Sequence, residues 1–216
     1  MTTVTATSLA EEAARRLGWT TERLDDCGYL FEIRRPDGVR KAMMGGRSAL
    51  NDAVAAKLSE DKHYASVLMA RAGLRVPRVV RCIAEEHHLG QAYPAHAGTE
   101  PAKALAEALG YPLVVKPNSL SHGRGVVMVE DEDELVAAIE ECWSMDPIAL
   151  AQELVQGADV RLDFLDGAYL LGYERRPIAV VGDGVRSVGR LIAALDPRFD
   201  RPETLLAHWR IADLFA

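Results

Sequence analysis

Lys116 and the glycines Gly123 and Gly125 are the residues whose types and spacing point most directly to chemistry. Leu113, Val114 and Val115 read as an apolar strand that delivers Lys116 at its end, with Pro117 closing it. A short loop follows, and a second strand begins at Val126. A loop between two strands that lacks Cβ atoms at two points can fold its backbone amides over a polyphosphate. The lysine beside it adds the point charge that phosphate oxygens attract. This is not the P-loop, in which the glycines precede the lysine and the loop runs into a helix. Nor is it the dinucleotide fingerprint, which also opens a helix. The same residues also fit an ordinary hairpin turn with glycines at positive φ and a solvated lysine.

Around this loop the chain alternates helices and hairpins. Ser8 and Glu11 form a capping-box pattern for a first helix that stops at Gly18. Residues 29–35 and 39–44 read as a hairpin turned by Pro36, Asp37 and Gly38. Ser48 is expected to cap a helix through Leu58, because Leu50, Val54, Ala55 and Leu58 recur at helical spacing. A second helix is expected over 61–72 with Gly73 as its stop. Val79 to Ile83 is a strand, 85–99 a polar loop with His87, His88 and His96, and 100–109 a helix ending at Gly110. After the glycine loop come a strand to Glu130, a helix opened by Asp131 and Glu134 and running to about Cys142, and a strand over 148–154. A second hairpin follows, with strands 159–165 and 168–175. A tight loop at 180–184 leads to a helix from Ser187, and 203–215 reads as helical.

Composition narrows the function classes. The chain has 216 residues, 49% hydrophobic and 26% charged, as in ordinary globular proteins. Its formal net charge of −7 disfavours a nucleic-acid surface, which would show a basic stripe. Arginines within 75–81 and 174–176 remain candidate anion sites. Cys27, Cys82 and Cys142 lie far apart with no C-x-x-C pair. Three buried, reduced thiols are expected rather than a zinc site. The adjacent histidines lack the partners a metal site needs. With no leader-like N-terminus and no apolar run of about 18 residues, a cytoplasmic location with no membrane partner is expected.

Several motifs stand in one order: Asp61-Lys62 opening a helix, Ala72-Gly-Leu-Arg-Val-Pro77, Tyr111-Pro-Leu-Val-Val-Lys-Pro117, Ser121-His-Gly-Arg-Gly125, Ala151-Gln-Glu-Leu-Val155 and Gly157-Ala-Asp-Val-Arg161. This order resembles the ATP-grasp ligases over about residues 45–195. Glu174-Arg-Arg-Pro-Ile-Ala-Val-Val-Gly-Asp-Gly184 brings it nearest to the cyanophycin synthetase and bifunctional glutathione synthetase group.

The resemblance implies an α+β, partial ATP-grasp fold of mixed sheets and flanking helices. Residues 1–60 would form an N-terminal helix–hairpin–helix region, 61–155 the central lid subdomain, and 156–216 the start of a shortened C-terminal subdomain. It implies an ATP- and Mg²⁺-dependent carboxylate–amine ligase acting on small-molecule substrates through an acyl phosphate. A nucleotide-binding or interaction module without catalysis is the alternative.

By the same resemblance, Lys62 and Lys116 would meet the α- and β-phosphates. The amides of Ser121, His122, Gly123, Arg124 and Gly125 would close over the phosphates as a lid. Gln152, Glu153, Leu154 and Val155 would form the adenine slot, with Gln152 standing where the family often has an acidic residue. Asp159 would accept from the ribose. Arg161 and Arg175 or Arg176 would face the transferred phosphate or the carboxylate. The family's magnesium ligands lie well beyond the Val180–Gly184 loop, and no Asp/Glu-x-Asn strand follows it here. The expectation is therefore a ligase fragment holding the nucleotide-binding half, with no metal ligands of its own. A shortened sheet would leave an apolar face favouring homo-oligomers.

Overall fold

The computed structural model describes residues 5–47, 50–121, 123–176 and 179–195. The chain divides into two compact units, 1–155 and 156–216. The helix expected over 203–215, and Ser48, lie outside the described residues.

The first unit begins with α1 (Ala6–Arg16). Its cap is Thr5 rather than Ser8. The Thr5 hydroxyl accepts from the Ser8 amide and the Ser8 hydroxyl accepts from the Thr5 amide, a reciprocal box set three residues earlier than the sequence pattern suggests. Glu11 is thereby left for Arg23, which it meets at 2.7 Å. Three strands follow, β1 (Thr20–Arg23), β2 (Leu30–Arg34) and β3 (Arg40–Met44), paired antiparallel in chain order. The strand β1 carries no apolar alternation, and its sequence (TTER) gives no signal of it.

Two short helices lie ahead of the larger sheet, α2 (Ala53–Glu60) and α3 (Lys62–Arg71). The first is capped by Asp52, whose side chain accepts from the Ala55 amide. Residues 50–52, expected as helix, precede it as turn and cap. The second opens on Asp61, which accepts from the Tyr64 amide. Its N-terminal residue is Lys62.

The larger sheet is built from β4 (Val79–Ile83), β5 (Leu113–Pro117), β6 (Val127–Val129) and β7 (Ile148–Glu153), in the order β4-β7-β5-β6. The segment expected as a polar loop, 85–99, contains a short helix α4 (His88–Ala92) and a 3₁₀ turn (Pro94–His96). His87 caps α4 with its ring nitrogen, a role that needs no metal. Two longer helices, α5 (Glu100–Leu109) and α6 (Glu132–Trp143), cover one face of the sheet. There Leu113, Val115, Val129 and Ala151 meet Ala102, Leu135, Ile139 and Cys142 in a closed apolar core. Cys82 and Cys142 are buried free thiols, pushed up by burial to about 12 and about 11. Cys27 is exposed, against the expectation of three buried thiols, because it lies in the open turn before β2.

Side chains alternate across a strand, so β5 has two distinct faces. Leu113, Val115 and Pro117 are buried, whereas Val114 and Lys116 are half-buried. The register extends that second face sideways. Val79, Gln152, Val114 and Met128 form one row, and Arg81, Leu150 and Lys116 the next.

The second unit holds an antiparallel hairpin, β8 (Asp159–Leu165) and β9 (Ala168–Arg175), with a register shift at Asp163/Phe164. It also holds α7 (Val188–Leu195), at whose start the Arg190 amide donates to the Ser187 hydroxyl. The fold is α+β. Where mixed sheets were expected, every ladder between described strands is antiparallel.

Candidate functional site

Two lysines are brought together on the face of the larger sheet that α5 and α6 leave uncovered. Lys116 rises from β5, and its ammonium donates to Gln152 Oε1 at 2.5 Å. Lys62, at the start of α3, donates to the carbonyl of Asn118 at 2.9 Å and to that of Leu120. Burial, and then the nearby Lys62 charge, hold Lys116 below the ordinary lysine value of 10.5. Burial lowers Lys62 too, opposed by the carboxylates of Asp146 and Asp61. These cations therefore rest on neutral oxygens, partly stripped of water. That is the state from which an anion is most strongly attracted.

The segment after β5 is anchored by residues that motif reading passed over. Asn118 is 4% exposed and Asp146 5%. The Asn118 side chain accepts from the His63 amide at 3.0 Å. Asp146 accepts from the Ser119 amide at 2.7 Å and from its hydroxyl at 2.5 Å. The sequence held two weak signals of this: polar Asn118-Ser119 directly after a strand, and Asp146-Pro147, a turn-initiating pair before one.

The glycine loop is a tight turn. The Arg124 amide donates to the Ser121 carbonyl at 3.3 Å and the Val126 amide to Gly123 at 3.2 Å. Gly123 and Gly125 have φ of +72° and +69°, the left-handed region that favours glycine. They differ in their surroundings. A Cβ on Gly123 would meet nothing, whereas one on Gly125 would lie 2.7 Å from Met145 Cε and 2.8 Å from Pro117 Cγ. Arg124 is exposed. His122 lies outside the described residues.

The residues expected to form an adenine slot do not share one side. Gln152 lies on the face of Lys116. Glu153 is in register with Leu113 on the helix-covered side, and its carboxylate accepts from the Arg78 amide at 3.0 Å. That bond holds the Glu153 acid below its ordinary value. Glu153 and Leu154 line a small cavity with Arg78 and residues 109–113. Val155 is exposed.

In the second unit the expected anion clamps already have partners. Arg175 donates to Asp159 at 2.7 Å, Arg161 to Asp163 at 2.9 Å and Arg176 to Glu174 at 2.5 Å. All are exposed pairs within one hairpin. Among the described residues, no three His, Cys, Asp or Glu side chains are grouped to hold a metal ion. No described helix is long and apolar enough to cross a membrane.

The family model described as "D-ala D-ala ligase C-terminus" matches residues 68–176, half of the chain. The chain belongs to this family, within the ATP-grasp ligases. The bifunctional glutathione biosynthesis protein of Mannheimia succiniciproducens is 25% identical to this ATP-grasp chain over 181 residues, covering 82% of the chain and 22% of that protein. The cyanophycin synthetase of Crocosphaera subtropica is 27% identical over 205 residues, covering 90% and 21%. A solved bifunctional glutathione synthetase from Pasteurella multocida aligns at 22% identity, over 88% of the chain and 24% of that protein, with a TM-score of 0.49. The chain thus spans about a fifth of the length of the curated relatives it matches.

Proposed function

We propose that this chain binds ATP against the Lys62–Lys116 face and serves as the nucleotide-binding part of a carboxylate–amine ligase. The observation that carries the reading is the pair of half-buried lysines. The Lys62 ammonium is held at the root of the glycine loop, by the Asn118 and Leu120 carbonyls, and that of Lys116 by the Gln152 amide oxygen. A polyphosphate can displace such neutral partners and gain two charge-assisted contacts. Lys62 and Lys116 would hold phosphate oxygens, and the backbone of 121–125 would cover them. The Arg124 and Val126 amides are engaged within the turn, so covering the phosphates requires the turn to open.

In this reading ATP supplies the phosphoryl group that activates a small-molecule carboxylate as an acyl phosphate, which an amine then attacks. Such transfer rests on positioning and charge stabilisation. Magnesium would arrive on the nucleotide phosphates, because the described residues offer no metal cluster of their own. The roles of Arg161, Arg175 and Arg176 at the carboxylate or the transferred phosphate, and of Asp159 at the ribose, require each to leave its present partner.

A second reading, nucleotide binding without catalysis, is favoured by the arginines of the second unit, each of which already holds a carboxylate. Calorimetric titration of the 216-residue chain with ADP and ATP tests what the two readings share; no measurable heat of binding sinks both. A screen of amino-acid and dipeptide carboxylates with amine, Mg²⁺ and ATP separates them. Amide product supports the ligase, and binding without product supports the module.

A further inference from the structure

We propose that Asp146 is a positioning residue for Lys62, acting through Ser119 and the peptide units at the root of the glycine loop. The inference rests on the reading that Lys62 meets phosphate, and it concerns a residue that never touches the nucleotide. Asp146 lies in the turn between α6 and β7. One carboxylate oxygen accepts from the Ile148 amide at 3.0 Å, a local bond that any turn aspartate makes. The other oxygen accepts both donors of Ser119, 27 residues away. The Asn118 amide in turn donates to the Ile148 carbonyl at 3.0 Å. Residues 118 and 119 are thus fixed to the start of β7 from both sides.

What they hold is Lys62. The Asn118 carbonyl accepts from the Lys62 ammonium at 2.9 Å and from its amide at 3.4 Å, and the Leu120 carbonyl accepts from the ammonium again. The Asn118 side chain takes the next amide, that of His63. Two backbone oxygens can aim a flexible four-carbon side chain only if the peptides carrying them are fixed. Asp146 does the fixing.

A second, independent contact points the same way. Met145, the neighbouring residue of the same turn, has its Cε 2.7 Å from where a Gly125 Cβ would be. The Cys142 thiol, one turn earlier in α6, faces the Gly125 carbonyl at 3.8 Å. The α6–β7 turn therefore braces both ends of the glycine loop, Ser119 with Asp146 and Gly125 with Met145. The charges around Lys62 are Asp61 and Asp146, which favour its ammonium, and Lys116, which is destabilised by it.

A double-mutant cycle on the full chain reads the coupling. ADP affinity is measured by calorimetry for the parent, Asp146→Asn, Lys62→Ala and the pair. Asp146→Asn should weaken ADP about tenfold, as for a lost charged hydrogen bond, and should add nothing once Lys62 is alanine. Additive losses would show that Asp146 acts on the fold at large and would overturn the proposal. Ser119→Ala, which removes one bond and keeps the backbone bond, gives a milder variant should Asp146→Asn not fold; it must show the same non-additivity. A readout without nucleotide keeps this inference separate from the functional reading. In NMR titrations of the lysine side chains, Asp146→Asn should lower the midpoint of Lys62 and should not lower that of Lys116, which is relieved of part of the Lys62 charge. Equal movement of both, or of neither, counts against the proposal. If the parent binds no ADP the functional reading falls, and these titrations still decide the role of Asp146.

Discussion

Lys62 and Lys116 in the first unit and Arg161, Arg175 and Arg176 in the second are all cations that the sequence reading assigns to an anion, and the structure treats the two sets differently. The lysines are partly buried and rest on carbonyl and amide oxygens. The arginines are exposed, and each is matched by a carboxylate of its own hairpin. A neutral partner gives up a cation to phosphate at little cost, and burial strengthens the new attraction. A carboxylate partner competes with the incoming anion on equal terms, and water and salt screen the contest. Residue type and sequence position make both sets look like anion clamps; burial and the present partner separate them.

Removing a lysine should be the most damaging change. Lys116→Ala is expected to cost about 1.5–3 kcal/mol of nucleotide affinity, the range for losing a charged hydrogen bond. Calorimetry that finds ATP bound equally well by this variant would end the comparison, since the sheet face would then be no different from the hairpin.

The glycines give the next effect. Gly123→Ala should lower stability by about 1 kcal/mol, because a left-handed φ is strained for any side chain. Gly125→Ala carries that strain and also forces Met145 and Pro117 to shift. Its loss in chemical denaturation should therefore exceed that of Gly123→Ala. Equal losses would mean that the α6–β7 turn does not brace the loop.

The smallest effect belongs to the hairpin. Arg175→Ala should leave both melting temperature and ADP affinity within error, because it removes one exposed pair. A marked drop in ADP affinity would place this arginine among the nucleotide contacts and blur the distinction between the two sets.

Much of the fold was legible because its signals are local. The apolar run of 113–115, the Pro-Asp-Gly turn at 36–38, the Asp166-Gly167 turn of the second hairpin and the Asp131 cap each lie within a few residues of what they specify. Strand β1 was missed because its four residues are all polar and show no apolar alternation to mark a strand. The helix starts moved to Thr5 and Asp52 because neighbouring cap residues competed, and only the formed turn decides between them. At the site, Lys62, Lys116 and the glycine loop were visible as types at a spacing. Asn118, Ser119 and Asp146 were not, because their value lies in hydrogen bonds spanning 27 to 56 residues. The split of Gln152 from Glu153 follows from strand alternation and was open to prediction once 148–153 was read as a strand.

The strand order β4-β7-β5-β6 puts the last of this sheet's own strands to leave the ribosome between two that were made earlier. The β5–β6 ladder joins neighbours in the chain and can form as soon as both exist. The strand β4 pairs with no other strand until Ile148 and its successors arrive. Contacts this distant in sequence form late, after the entropy of closing the intervening chain has been met. The α6–β7 turn comes with that final strand, and with it the clamp on Ser119. During synthesis, then, Lys116 is presented early beside its loop, while Lys62 waits on α3 for an anchor that does not yet exist. A nascent chain that ends before residue 146 carries both lysines and no means of aiming the first. The capacity to grip phosphate would switch on within a few residues of chain growth.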